Sequence, residues 1–485
     1  MNKFLEKAES CKPKLLFAKK EWTRKEQIKA GESRIFDFGE HMVGYVNVLF
    51  SFSGSHPDAP AYIKINFYEH IRESKEDSAD YHGWLPKGWI QEEFLHIDEF
   101  PKKVAFERRY AFRYIKITAL SLSNSYELTI DKITVNTVTS AREHLRLYGN
   151  TDIEKQIDKV AIKTLSECMQ TEFEDGPKRD RRLWLGDLRL QALANYQTFK
   201  HNDLVKRCLY LFAGTALENG RLCQSVFTKP NIEGDTATNF DYPLLFIPTL
   251  LDYYNETKDI VTIKDLLPVA VRQIMCARDR FTENLIKDGE MGWCFLDWSF
   301  ELNRQMGAQA VYIFAEKSLV ELLNICGENS QEYISDIADK SSAAIAEFYD
   351  VEKKLFTSGK DRQISYASNI WAVIAGLLNK DENAALMRRI KDCDYAVKPV
   401  SPYLYHHYIQ ALVECGLQTE AETEMCRYWG GMLGLGTDTF WELFNPDNPD
   451  ESPYGGTMIN SFCHAWSCTP SYFIRKYFTK IKENR

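Results

Sequence analysis

The stretch 311–327, Val311-Tyr312-Ile313-Phe314-Ala315-Glu316-Lys317-Ser318-Leu319-Val320-Glu321-Leu322-Leu323-Asn324-Ile325-Cys326-Gly327, sets the period of most of the chain. Val311, Phe314, Ala315, Ser318, Leu319, Leu322 and Leu323 recur at three- and four-residue steps and share one helical face, and Gly327 marks the stop. Leu204, Cys208, Leu211 and Phe212 repeat the pattern behind a cap at Asn202 or Asp203. Extended in both directions, this period predicts helices near 152–171, 188–200, 203–219, 240–256, 260–284, 304–326, 330–349, 363–379, 383–390, 403–416, 418–432 and 459–482. Short turns near Lys200, Thr257, Gly327, Lys380 and Gly416 alternate with long connections over 172–187, 220–239, 285–303, 350–362, 391–402 and 433–458. Helical hairpins with tight turns at one end and long loops at the other describe an (α/α)6 barrel. Its long loops share one face, which is where function usually sits.

Upstream the period falls to two. Ile63, Ile65 and Phe67 alternate with Lys64, Asn66 and Tyr68, and further β-rich runs cover Gly44 to Ser53, Phe112 to Thr118 and Glu127 to Val135. Turn-forming residues separate the runs, as in Ser53-Gly54-Ser55 and Ser121 to Ser125, so an antiparallel β-sandwich is expected. The predicted protein is multi-domain and mainly α: an accessory β domain over 1–145 and the barrel over 146–485. The segment Tyr81 to His96, with Trp84 and Trp89, reads as a long loop that touches something else: a dimer interface, the active site of the same chain, or the β core.

Composition removes several functions. Lys and Arg number 60 against 69 Asp and Glu, a formal charge of -9, which disfavours binding to nucleic acid through its backbone. No apolar run approaches the roughly 20 residues a bilayer requires, so no membrane helix is expected. Met1 to Trp22 alternates charged with single apolar residues, which predicts a cytoplasmic protein without a secretion signal. The 12 cysteines are scattered without a Cys-x-x-Cys pair, so neither a zinc site nor a disulfide framework is expected, and no cofactor is implied. Asp447, Asp450 and Glu451 lack the spacing of a calcium loop and read as a solvated turn among Pro446, Pro449 and Pro453.

The long loops carry the chemistry. The first holds Glu172, Glu174, Asp175, Lys178, Arg179, Asp180, Arg181, Arg182, Trp184 and Asp187, with Gly176-Pro177 imposing a turn. The third holds Trp293, Asp297 and Trp298; the last holds Trp441, Glu442, Asp447, Asp450, Glu451 and Tyr454, shortly before His464 and Trp466. Taken singly, Asp187 is most simply a helix cap, His464 a buried helix residue, each aromatic core and each acid solvated. Together, acids and tryptophans on loops that converge at one barrel end suit a sugar, whose C–H faces lie on indoles while carboxylates and Arg bond its hydroxyls. Cleaving a glycosidic bond then needs two carboxyl groups, one protonated and one ionised.

The run Asp175-Gly176-Pro177-Lys178-Arg179-Asp180-Arg181-Arg182-Leu183-Trp184-Leu185-Gly186-Asp187 resembles the D-C-P-x-R-D-E-R…G-W-x-G-D signature of glycoside hydrolase family 78, the α-L-rhamnosidases. Arg34 to Gly39 with Gly44-Tyr45, Leu296-Asp297-Trp298-Ser299, Thr439-Phe440-Trp441-Glu442 and Ser461 to Ser467 resemble further family segments, in the same order from about residue 30 to 480. The resemblance implies inverting hydrolysis of terminal α-L-rhamnosyl groups from small glycosides. It implies Glu442 as general base, Asp175, Arg179 and Asp187 as partners of sugar hydroxyls, and Trp184, Trp298 and Trp441 as apolar walls. His464 would complete the pocket, with Asp297 beside Trp298. The signature's acid falls on Arg181, which cannot donate a proton usefully. Asp180 is therefore taken as general acid, with Asp187, Glu172 and Glu174 as rivals. Gly176 replaces the family's Cys, the Gly before the signature Trp is absent, and the family's usual C-terminal β domain is not expected after the twelfth helix. Two rivals remain open: an (α/α)6 hydrolase of other specificity, such as a uronyl hydrolase using Arg179, Arg181 or Arg182, and a sugar-binding protein without catalysis. A homo-oligomer is compatible with Trp84 and Trp89 at an interface.

Overall fold

Alternating burial along Ala61–Tyr68 puts Ile63, Ile65 and Phe67 into one core, and this strand is one of eight in a single antiparallel sheet of the computed structural model. The structure describes residues 2–142, 146–289 and 291–479; the expected domain boundary at 145/146 and residues 480–482 of the last expected helix lie outside them. The strands are β1 (Leu16–Trp22), β2 (Glu26–Ile28), β3 (Ser33–Gly54), β4 (Ala61–Tyr68), β5 (Glu92–Ile97), β6 (Lys102–Ala105), β7 (Tyr110–Ser121) and β8 (Tyr126–Thr139). Their order is β1-β8-β3-β7-β4-β5, with β2 on β8 and β6 on β3. The long β3 pairs with β7 up to Gly44 and with β8 from Gly44 onward. A Cβ at Gly44 would lie 2.4 Å from the Asn136 carbonyl oxygen, so the exchange of neighbours requires glycine there.

A first helix, α1 (Lys3–Ser10), precedes the sheet and packs on α4; no sequence pattern announced it. The helical region contains α2 (Asp152–Cys168), α3 (Leu185–Gln197), α4 (Asn202–Gly214), α5 (Asp241–Thr257), α6 (Ile260–Arg278) and α7 (Gln305–Cys326). It continues with α8 (Gln331–Phe348), α9 (Tyr366–Ile374), α10 (Lys380–Lys391), α11 (Pro402–Glu414) and α12 (Gln418–Gly434). α3, α5, α7, α9 and α11 pack successively against one another, and α3, α5 and α9 are buried along nearly their whole length. Such all-round burial explains why α3 shows almost no amphipathic contrast between its faces. α4, α6, α8, α10 and α12 follow them on the outside, which makes five hairpins among the described residues, and the segment from Ala465 packs on α2 as the sixth.

The sixth inner element departs from expectation. In place of one helix over 459–482 there are short turns, Thr457–Ile459 and Ala465–Cys468, then Pro470–Phe473 and a wider-pitched turn Ile474–Phe478. Backbone groups of 461–465 are claimed by neighbouring loops: Glu442 N donates to Ser461 O at 3.0 Å, His464 N to Phe440 O at 2.9 Å and Ala465 N to Asp175 O at 2.7 Å. Those bonds replace the helical ladder. The segment instead stitches the first long loop to the last one.

Candidate active site

The signature loop closes on itself before it meets anything else. Asp175 N donates to Arg182 O at 3.0 Å, Arg182 N returns to Asp175 Oδ1 at 3.2 Å, and Arg181 N donates to Gly176 O at 3.3 Å. Gly176 has a steric reason to be glycine, because a Cβ would lie 2.7 Å from Arg179 O and 2.8 Å from Ser461 Oγ. Arg181, with φ at 59°, is turned away from the cavity: its Nε donates to Lys178 O at 3.2 Å, and burial beside Arg109 lowers its pKa to about 10. The position of the family acid thus faces the β domain, and Asp180 is the neighbour that faces the cavity.

That cavity has a volume of about 810 Å³ and opens at the end where the long loops meet. Asp175, Arg179, Asp180, Trp184, Asp187, Trp298, Glu442 and His464 all line it. Glu442 is at the centre of its charges. Arg179 Nη2 donates to its Oε2, the Tyr454 hydroxyl to its Oε1, and Trp466 Nε1 to its backbone oxygen at 2.9 Å. Burial pushes the Glu442 pKa above the ordinary carboxylate value, while the Arg179 guanidinium and the Tyr454 hydroxyl hold it back. Arg179 Nη1 lies 3.9 Å from Asp180 Oδ1, and its guanidinium sits 4.2 Å over the Tyr454 ring. The Asp180 charge adds to burial in raising the pKa values of Asp175, Asp187 and Glu442.

Asp187 occupies the first turn of α3, yet it is no simple cap: its Oδ1 is buried without a hydrogen-bond partner in the protein. His464 lies between two carboxylates, with Nδ1 3.6 Å from Asp187 Oδ1 and Nε2 3.9 Å from Asp175 Oδ2. Burial and the nearby Arg179 press its pKa well below the usual imidazole value, so the ring is neutral and can both donate and accept. His464 Nδ1, Trp184 Nε1, Trp298 Nε1 and Asn239 Oδ1 are likewise buried and unpaired within the protein. Unpaired buried polar atoms in a cavity wall mark places where ligand hydroxyls are accepted. Tyr242, Phe295 and Trp466 complete the wall with ring surface.

Four expected residues lie elsewhere, for identifiable reasons. Asp297 accepts from Val400 N at 2.8 Å, Ser401 N at 2.9 Å and Ser401 Oγ at 2.5 Å, so its carboxylate secures the entry to α11 instead of facing the cavity. Trp441 is fully buried against His70, Phe444 and Phe462, and supports the loop from behind. Glu172 is enclosed by the hydroxyls of Thr171 and Thr228, each at 2.5 Å, and Glu174 pairs with Arg109 at 2.6 Å, which takes both rival acids out of the cavity. Conversely, Asn239, Tyr242 and Phe295 were not singled out from the sequence, since nothing local distinguishes them from ordinary loop or core residues, and Tyr454 was noted only as one aromatic of the last long loop, with no role attached. Trp84 and Trp89 do line the cavity; Trp84 Nε1 donates to Pro453 O at 2.9 Å.

Tyr454 offers a pH test of this arrangement. Tyr454→Phe keeps the ring but removes a donor to the ionised carboxylate, so the Glu442 pKa rises further. If activity requires ionised Glu442, the acid limb of kcat/KM moves to higher pH by about one unit, the worth of one charge-assisted hydrogen bond. An unmoved limb in a pH–rate profile would disconnect Glu442 from it.

Residues 7–137 match the family model described as glycosyl hydrolase family 78 alpha-rhamnosidase N-terminal domain, and residues 148–478 match the bacterial alpha-L-rhamnosidase 6 hairpin glycosidase domain. A rhamnosidase from Klebsiella oxytoca, solved with rhamnose bound, is 40% identical, covers 98% of each chain and superposes with a TM-score of 0.94. The family 78 rhamnosidase of Bacillus sp. GL1 is 20% identical, with 93% of this chain matching 47% of that one at a TM-score of 0.79, a likeness of fold. The Streptomyces avermitilis alpha-L-rhamnosidase complexed with L-rhamnose is 15% identical over 96% of this chain and 44% of its own, at a TM-score of 0.68. A comparison with curated protein sequences found no match. Two matched domains that together span nearly the whole chain, and a relative this similar from end to end, place the protein in glycoside hydrolase family 78.

Proposed function

We propose that the protein is an inverting α-L-rhamnosidase that removes terminal rhamnosyl groups from small glycosides, with Glu442 as general base and Asp180 as general acid. The observation that carries this reading is a buried carboxylate, Glu442, doubly held by Arg179 and Tyr454 in a cavity that also receives Asp180. The hold on both Glu442 oxygens favours the ionised form that activates water, against the burial that opposes it. A 6-deoxy-hexose presents hydroxyls to Asp175, Asp187, His464 and Asn239, and its methyl group meets the rings of Trp184, Trp298 and Tyr242. The rhamnose-bound Klebsiella relative supports the sugar. A uronate would need an uncommitted cation in the cavity: Arg179 is paired with Glu442, Arg181 is turned toward Lys178 O, and Arg182, which does line the cavity, lies 3.8 Å from Asp235 Oδ2 and over the rings of Trp184 and Phe227.

The same reading takes 1–145 as a β-sandwich, its one sheet doubled over where β3 exchanges β7 for β8; it takes 146–485 as a closed (α/α)6 barrel, supported by the succession of packed inner helices and the return of Ala465–Cys468 against both α3 and α11. All twelve cysteines are free, which supports a reducing, cytoplasmic setting. Inversion requires about 6.5–9.5 Å between the two carboxyl groups, room for one water. The test is hydrolysis of a p-nitrophenyl glycoside panel followed by ¹H NMR of the first sugar released. The α-L-rhamnoside should be cleaved in preference to all others and give β-L-rhamnose first. Initial release of the α anomer would refute inversion, and preference for a uronide would refute the specificity.

A further inference from the structure

The connection that follows β4 sends three glutamates of the β domain into the catalytic loops. Glu69 Oε2 accepts from Phe462 N at 2.7 Å, and its Oε1 lies 3.2 Å from His41 Nε2. Glu76 accepts from Thr457 N at 2.9 Å, Thr457 Oγ1 at 2.6 Å and Met458 N at 2.9 Å. Between them Glu73 meets Lys178, Oε2 to Nζ at 2.5 Å, with both side chains only 1% exposed. Lys178 Nζ also donates to Met458 O and Asn460 O, each at 2.9 Å. Its three donors are therefore fully used, and they tie the signature loop to the 457–462 segment and both to the β domain. The next residue, Arg179, donates from Nε to Ile459 O at 3.2 Å and holds Glu442.

A buried ion pair is a poor source of net stability, because desolvating two charges offsets their attraction. Burial and the adjacent Glu69 raise the Glu73 pKa to about 7, against the pull of Lys178, which shows how unfavourable that site is for a carboxylate. Stability alone does not account for the pair. It sits one residue from the guanidinium that grips the general base, and fixes the two loops whose relative position sets the separation of Glu442 and Asp180.

We propose that Glu73 and Lys178, backed by Glu69 and Glu76, are positioning residues that hold the catalytic carboxyl groups at their working distance, so that the N-terminal β domain is part of the catalytic apparatus. This rests on Glu442 and Asp180 being the catalytic pair. Glu73→Gln leaves an ammonium buried without its counter-ion, and should lower both Tm and kcat. The double variant Glu73→Gln/Lys178→Met removes both charges and separates the two effects. Its Tm should recover toward wild type, while kcat on p-nitrophenyl α-L-rhamnoside stays down by about tenfold or more, as a misplacement on the order of 1 Å produces. KM should stay within about threefold, since the sugar-facing atoms of Asp187, His464 and Asn239 are untouched. Glu76→Ala, at a partly exposed position, should likewise lower kcat with little change in Tm, and serves if the Glu73 variants do not fold. Wild-type kcat in the double variant, or in Glu76→Ala, overturns this inference alone. An inactive wild-type protein overturns the functional reading and this inference with it.

Discussion

Glu442→Gln is expected to lower kcat on p-nitrophenyl α-L-rhamnoside by a factor on the order of 10³, within the usual range for loss of a general base, and to leave KM nearly unchanged. The amide is isosteric and its oxygen can still accept from Arg179 or Tyr454, so the cavity keeps its shape. On the proposed mechanism, what disappears is the proton acceptor for the attacking water, which acts only in the transition state. A loss in kcat without a loss in sugar affinity is the signature of such a group. Rhamnose binding measured by calorimetry should therefore persist in the variant. Unchanged turnover would remove Glu442 from the mechanism, and a raised KM with kcat intact would make it a binding residue only.

Much of this architecture can be read from residue order, and the reasons are physical. Outer helices such as α10 show the helical period because one face is solvated while Asn383, Leu386, Met387 and Ile390 are buried, and β4 shows its period because Lys64 alternates with Ile63 and Ile65. Helices buried all round show less: α3 was expected to start at 188 and starts at Leu185, with Asp187 inside its first turn. The residues from 459 onward read as a helix by composition, but their backbone groups are taken by the loops of Asp175, Phe440 and Glu442, and no local pattern encodes that competition. The site divides in the same way. Acids and tryptophans at loop positions were visible as types, whereas the fates of their side chains depend on partners far away in sequence. Asp297 is claimed by Ser401, Glu174 by Arg109, and Lys178 by Glu73. Tyr454, whose hydroxyl donates to Glu442, is an unremarkable loop residue until the fold brings the two together.

The identity of the general acid yields the second large effect, because the size of that effect depends on the substrate. On the proposed reading Asp180 takes the place that Arg181 cannot fill, and its rival in the same cavity is Asp187, whose pKa burial and the nearby Glu442 raise. A general acid stabilises charge developing on the leaving oxygen, so its removal matters most where that oxygen is strongly basic. Asp180→Asn should therefore lower kcat/KM for alkyl or glycosyl rhamnosides by a factor on the order of 10³–10⁴, and for p-nitrophenyl rhamnoside by about 10²-fold or less, since nitrophenolate departs with little help. Asp187→Asn, if that residue only bonds sugar hydroxyls, should lower activity on every rhamnoside by a similar factor and raise KM. A plot of log(kcat/KM) against leaving-group pKa for both variants reads the assignment directly: a steeper slope belongs to the variant that has lost the acid. Should the steep slope appear with Asp187→Asn, the two roles exchange, and the burial that raises the Asp187 pKa would then be the property that favours the protonated acid.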